Sequence, residues 1–290
     1  MIPEIDFIQP ENLQQALQSL AQFMEQACPI AGGTDIIPGF HINSQRFRQI
    51  KVLIDIGQLP ELTTIEHKED GLHIGAAATF TQIGQHPLIT ENFPLLAQAA
   101  QKIGSVQIRN RATIAGNFVN NAPCADSVPP LLVYDAQIVL QSLNNTRQMP
   151  LEKFLLKPYQ TQLQADELVK EIILPVPGQG YRGKFYKLGR RRGVAISRIT
   201  LAILLKLDGT VIDDFRLASG AVTPIGMRLH DLEKMIIGQS ANEDLFKEIA
   251  IASGQKILEI TGLRWSTAYK LPVVQQMIFA LLKQLTSSNA

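Results

Sequence analysis

Ala31-Gly32-Gly33-Thr34-Asp35 and, much farther along, Thr113-Ile114-Ala115-Gly116-Asn117 are the stretches on which the fold of this chain turns. The second runs on through Phe118-Val119-Asn120-Asn121-Ala122-Pro123-Cys124-Ala125-Asp126-Ser127. Small residues let the backbone approach a ligand closely, and glycine also permits positive φ. Successive backbone N–H groups in such turns form concave nests that hold an anion. Two nests from distant parts of a chain would grip a diphosphate from two sides, which points to a dinucleotide-like cofactor. Neither loop has the G-x-G-x-x-G spacing of a Rossmann turn, and the P-loop pattern G-x-x-x-x-G-K-S/T is absent. The G-x-S-x-G of a nucleophile elbow is also absent, and no general acid–base pair stands out.

The elements around the loops divide the chain in three. Leu13, Ala16, Leu17, Leu20, Ala21 and Met24 recur at helical spacing after Pro10-Glu11-Asn12. Cys28-Pro29-Ile30-Ala31 reads as a short buried strand running into the first loop, and Lys51 to Asp55 as another. This gives an α/β unit over residues 1–55. In residues 56–176, Leu62 to Ile65 and Leu72 to Ala76 read as a hairpin turning at Lys68-Glu69-Asp70-Gly71. A helix starts at Thr79 to Gln82, and another covers Pro94 to Ile103 and stops at Gly104. Pro129 to Asp135 is an apolar helical turn, and Gln137 to Leu140 a strand.

A boundary falls at Pro175-Val176-Pro177-Gly178-Gln179-Gly180. Over 177–290 the pattern predicts three antiparallel strands (181–187, 196–206, 210–219), the last two joined at Asp208-Gly209. Helical patterns at 224–238, 241–254 and 267–286 follow, and Thr286 to Ala290 fray. The class is α+β.

Composition narrows the function classes. Of 290 residues 46% are hydrophobic and 18% charged, enough for a sizeable core. A net charge of +1 without a basic stripe argues against bulk nucleic-acid binding. No apolar run reaches the length of a membrane span, and the first residues lack the pattern of a signal peptide. Two cysteines, Cys28 and Cys124, exclude a disulfide framework and a four-cysteine iron–sulfur site within this chain. The five histidines show no metal-type spacing. The expectation is a reduced, cytoplasmic protein that holds no metal of its own.

The chain resembles the FAD-binding (medium) subunit of the molybdenum hydroxylase family, of the carbon monoxide dehydrogenase and xanthine dehydrogenase type. Five matches occur in order along nearly the whole chain: Ala31 to Asp35, Ile103 to Asn117, Ala122 to Ala136, Tyr186 to Arg191, and Ala221 to Arg228. The resemblance implies a two-part FAD-binding domain of the PCMH and vanillyl-alcohol-oxidase-like type. Its parts are residues 1–55 and 56–176, and the C-terminal domain, 177–290, is an antiparallel sheet covered by helices. It implies FAD held noncovalently, with 2Fe-2S clusters in a small partner subunit and molybdopterin in a large one. This chain would take electrons from the clusters and pass them to NAD, a quinone or oxygen. A free-standing flavin oxidoreductase and a non-catalytic flavin-fold assembly subunit are the alternatives.

The resemblance also assigns residues. Gly32, Gly33 and Thr34, flanked by Pro29, Ile30, Ala31 and Ile36, would face the FAD diphosphate. Asp35 would be repelled by phosphate and faces a sugar hydroxyl or the loop backbone. Thr113, Ala115, Gly116 and Asn117, with Ile114, would form the other half of the grip. Ala115 stands where many relatives carry glycine. Asp126 would bind flavin sugar-chain hydroxyls or pin its own loop. Ile103 and Val169 would approach the flavin or simply be core. Lys187 would set a cation near the electron-rich end of a reduced flavin, or be a strand-end surface lysine. Arg190-Arg191-Arg192 form a solvated turn or a docking point. Carbon monoxide dehydrogenase-type relatives place a tyrosine shortly after these arginines, where this chain has Gly193-Val194-Ala195. No catalytic residue and no metal ligand are assigned.

Overall fold

Three sheets and the helices between them build the molecule. The computed structural model describes residues 4–191 and 195–287. Arg192, Gly193 and Val194, and with them the question of what replaces the relatives' tyrosine, lie outside the described residues, as do Met1 to Pro3 and Ser288 to Ala290.

The first sheet is parallel, in the order β1 (Asp6–Ile8), β3 (Val52–Asp55), β2 (Ala27–Ile30). Parallel strands need crossovers: the helix Leu13–Phe23 carries the chain from β1 to β2, and residues 31–51, with the helix Ile36–His41, carry it from β2 to its neighbour β3. Asn12 caps that helix by accepting from the Gln15 amide at 3.0 Å. Its stripe of Leu13, Ala16, Leu17 and Leu20 is buried with Val52 and Ile54. The short strand β2 therefore sits on a firm base and delivers Ala31–Asp35 to a fixed place.

The second sheet is antiparallel, in the order β4 (Ile65–Lys68), β5 (Gly71–Gly75), β10 (Leu168–Leu174), β6 (Gln137–Gln141), β7 (Thr146–Pro150). The expected hairpin forms, but Leu62 belongs to a helical turn, Pro60–Thr63, ahead of it. That turn presents the Leu62 and Thr64 carbonyls to the Ala77 and Gly75 amides, a pairing that local pattern does not reveal. A register shift in β10 between Val169 and Glu171 is a bulge, which re-aims side chains at a sheet margin. The helix Phe80–Gln85 starts with a reciprocal Thr79–Gln82 capping box. Its Phe80 joins Leu95, Leu96, Phe118, Tyr134 and Phe154 in the largest core. A two-stranded ribbon, β8 (Leu155–Lys157) with β9 (Gln160–Thr161), lies between β7 and β10 in the chain.

The last sheet runs β11 (Tyr181–Gly189), β12 (Ser197–Asp208), β13 (Val211–Gly220), β14 (Met227–Arg228). Strand β12 is buried on both faces. Ile199, Leu201, Ile203 and Leu205 pack under the helices Glu243–Thr261 and Thr267–Thr286. Ala202 and Leu204 face the other way, into the core of Val128, Leu131 and Leu132. The period of two places these sets on opposite faces, so β12 cements the C-terminal sheet to the preceding unit. The helix expected from residue 224 begins at His230, because Met227 and Arg228 pair with Ser219 and Ala218 as an edge strand. Arg228 is fixed there by Glu233 at 2.7 Å.

Candidate functional site

The first loop leaves β2 with Gly33 at φ +68°, a conformation that glycine adopts without strain. Among the described residues, the amides of Gly32, Gly33, Thr34, Asp35 and Ile36 have no protein acceptor. Five in succession can form an anion nest.

Gly32 also joins the two loops. A β-carbon there would lie 2.0 Å from the Arg111 carbonyl oxygen, just before the second loop. Gly32→Ala therefore forces backbone apart, and its expected cost is about 2–3 kcal/mol of stability. Urea unfolding checks this against Gly209→Ala, which meets nothing within 4 Å and has only its φ of +58° to strain it. A loss no larger at Gly32 than at Gly209 would contradict the contact.

The second loop is built differently. Thr113 caps the helix Ile114–Asn120, accepting from the Gly116 amide at 3.3 Å. The Ile114 and Ala115 amides are spent on the Ala78 and Ala76 carbonyls, and the Asn117 amide on Thr113. This loop offers the cavity a smooth wall, with Gly116 at its open point: a β-carbon there would meet only the Thr113 hydroxyl, at 2.9 Å. The grip is thus unequal, with donors concentrated in the first loop.

A cavity of about 490 Å³ lies between the loops. Of the residues singled out from sequence, Pro29, Ala31, Gly32, Gly33, Thr34, Asp35, Ile36, Ile103, Thr113, Ala115, Gly116, Asn117 and Val169 line it. Two others turn away from it: Ile30 packs with Phe40 and Leu53, and Ile114 is fully buried in the large core. Asp126 and Lys187 also lie outside the lining, in an ion pair at 2.6 Å. Ser197 donates to the same carboxylate, and the Lys187 ammonium also donates to the Lys102 carbonyl at 2.9 Å. These contacts tie the Asp126 loop to β11 and β12. Lys187 is not a surface lysine, because only 10% of its side chain is exposed.

The lining also contains residues that sequence reasoning passed over. Leu163, Ala165 and Leu168 extend the apolar wall beside Val169. Glu167 is neutralised by a two-pronged Arg147 contact at 2.7 and 2.8 Å. Burial pushes its carboxyl up, but the Arg147 fork and the Gln164 amide outweigh this and hold it below the usual range. Burial pushes the Cys28 thiol up to about 11 against the nearby Arg46 charge, so at neutral pH it is a protonated wall group. Asp35 is held above the usual carboxyl range by burial, opposed by Arg46 and by a hydrogen bond with Asn120. No glycine pattern marks Arg46, Phe47 or Asn120, and only the fold brings them to the cavity.

An apolar cavity, a nest of free amides and two glycine loops suit an extended cofactor that carries phosphates. Residues 3–177 match the family model described as "FAD binding domain in molybdopterin dehydrogenase". The chain belongs to this family of FAD-binding subunits of molybdenum hydroxylases. Residues 184–285 match the "CO dehydrogenase flavoprotein C-terminal domain". The chain is 32% identical to the glyceraldehyde dehydrogenase medium chain of Sulfolobus acidocaldarius, over 98% of this chain and 99% of that one. It is likewise 32% identical to the nicotinate dehydrogenase FAD-subunit of Eubacterium barkeri, over 94% and 93% of the two chains. Carbon monoxide dehydrogenase from Hydrogenophaga pseudoflava, solved lacking the Mo-pyranopterin moiety, superimposes with a TM-score of 0.90 at 27% identity, covering 98% of both chains. FAD is the cofactor of this family domain, and the free amides and open Gly116 wall fit it. Among the described residues no helix is long and apolar enough to cross a membrane, and no cluster of side chains is arranged to hold a metal.

Proposed function

We propose that this chain holds FAD noncovalently in the cavity between its two glycine loops and works as the electron-transfer subunit of a molybdenum hydroxylase complex. The observation that carries the reading is the run of five uncommitted amides, Gly32 to Ile36, on the wall of that cavity. These amides receive the diphosphate, and Gly116 lets it approach the second loop. Asp35 faces a sugar hydroxyl, where a carboxylate is an acceptor rather than a like charge. Ile103 and Val169 supply apolar contact, and Asp126 with Lys187 keeps the C-terminal sheet in place behind the site. FAD, when bound, supplies the redox chemistry, and the protein positions it.

In this reading the electrons come from 2Fe-2S clusters of a small partner subunit. They originate at molybdopterin in a large one and leave to NAD, a quinone or oxygen. The relatives support the assignment: they are a medium chain, a FAD-subunit and a carbon monoxide dehydrogenase component. The test is affinity capture of the native complex, followed by flavin and metal analysis of each chain. The expected result is FAD on this chain, released into the supernatant by acid, with iron and molybdenum on co-captured partners. Colour retained in the acid pellet would overturn noncovalent binding. A flavin-bearing chain captured without iron or molybdenum partners would favour a free-standing flavoenzyme, and a flavin-free native chain would sink the reading altogether.

A further inference from the structure

Arg46 is the one lysine or arginine among the described residues that line the cavity. It lies in the short 3-10 turn Gln45–Phe47, outside both glycine loops. Its guanidinium lies over two aromatic rings, 5.0 Å from the Phe47 centroid and 4.5 Å from that of Tyr159. Stacking restrains a long side chain that would otherwise sample many rotamers. Its one hydrogen bond among the described residues goes to Asn120 Oδ1, not to a carboxylate. A guanidinium carries five N–H donors, so most of this one's donors remain for another partner. Asn120 closes the helix that the second loop opens, and Asp35 ends the first loop. Arg46 acts electrostatically on Asp35 and on Cys28 in the cavity wall. An oriented and incompletely used cation therefore stands where the two loops converge.

We infer that Arg46 is a phosphate-recognising residue, a cation that neutralises the diphosphate of the dinucleotide held by the glycine loops. The inference rests on the FAD reading above. Backbone amides supply direction but only partial charge, and a diphosphate brings about two full negative charges. With Glu167 already neutralised by Arg147, the exposed Arg46 is the full positive charge on the described lining of the cavity. The rings of Phe47 and Tyr159 restrain it, and Asn120 holds one of its N–H groups. The ligand then meets a ready-made fork instead of having to order one. The role is one of affinity and discrimination: ligands with a diphosphate are favoured over the same ring system without one.

The test is titration of the deflavinated full chain with FAD, ADP and riboflavin, followed by fluorescence or calorimetry, for wild type, Arg46→Ala and Arg46→Lys. Arg46→Ala is expected to weaken FAD and ADP together by about 10- to 100-fold at low ionic strength. The gap narrows as KCl is raised, and riboflavin affinity is unchanged. Arg46→Lys recovers part of the loss, since it keeps the charge but not the planar fork. Equal weakening of FAD and riboflavin, or a lowered melting temperature with unchanged affinities, would overturn the inference and leave Arg46 a clasp on Asn120. A wild-type chain that takes up neither FAD nor ADP overturns the FAD reading and this inference with it. FAD binding left intact in Arg46→Ala overturns this inference alone.

Discussion

Gly116→Asp is expected to leave the chain folded and to weaken FAD binding at least about 100-fold. Position 116 is the third residue of the helix that Thr113 caps, where an acidic side chain favours the helix dipole. The added β-carbon meets only the Thr113 hydroxyl, at 2.9 Å, which can rotate away. The carboxylate, however, enters the cavity where the diphosphate approaches. Like charges 4 Å apart repel by about 4 kcal/mol at an effective dielectric near 20, about three decades of affinity. Fluorescence titration of the deflavinated chain measures the loss. Gly116→Asn, of nearly the same size without the charge, separates bulk from repulsion and should lose less. Unchanged affinity in Gly116→Asp would remove the second loop from the site.

Asp126→Ala is expected to cost about 3–5 kcal/mol of folding stability, because it strands the Lys187 ammonium in the interior. Exposure of the Asp126 and Lys187 side chains is 7% and 10%. Burial pushes the Asp126 carboxyl upward, and Lys187 and Ser197 pull it back toward the charged form. Removing Asp126 deprives Lys187 and Ser197 of a partner together and loosens the attachment of the Ala122–Ser127 loop to β11 and β12. Urea unfolding of the full chain gives the number. The double change Asp126→Ala with Lys187→Met removes both charges and should recover much of the loss. A single-mutant cost of only about 1 kcal/mol, as for exposed pairs, would show that water reaches the pair.

How much of this was legible in the sequence depended on the range of the forces involved. Gly33 was readable because positive φ is a property of one residue, and the helix start at Asn12 because capping acts within one turn. The strand over 196–206 was readable from its apolar run, and both of its faces are covered, as a nearly continuous run requires. Met227 and Arg228 were misread as helix because their pairing partners lie in β13 and no local period reports such a contact. The second loop looked like a nest equal to the first. Its amides, however, are taken by carbonyls at positions 76 and 78, which enter only through the tertiary fold.

By itself the sequence determined the α+β class, the glycine loops and, through motifs in register along the chain, the family and its cofactor. These are consequences of steric and hydrogen-bonding rules that act within a few residues, or of patterns that repeat along the chain. Tertiary structure alone decided which loop keeps free amides, that Gly32 rests on Arg111, that Asp126 is paired with Lys187, and that Arg46 reaches the cavity. Each of these depends on charge, burial and contact between residues distant in sequence. Such interactions have no value until the chain has closed upon itself.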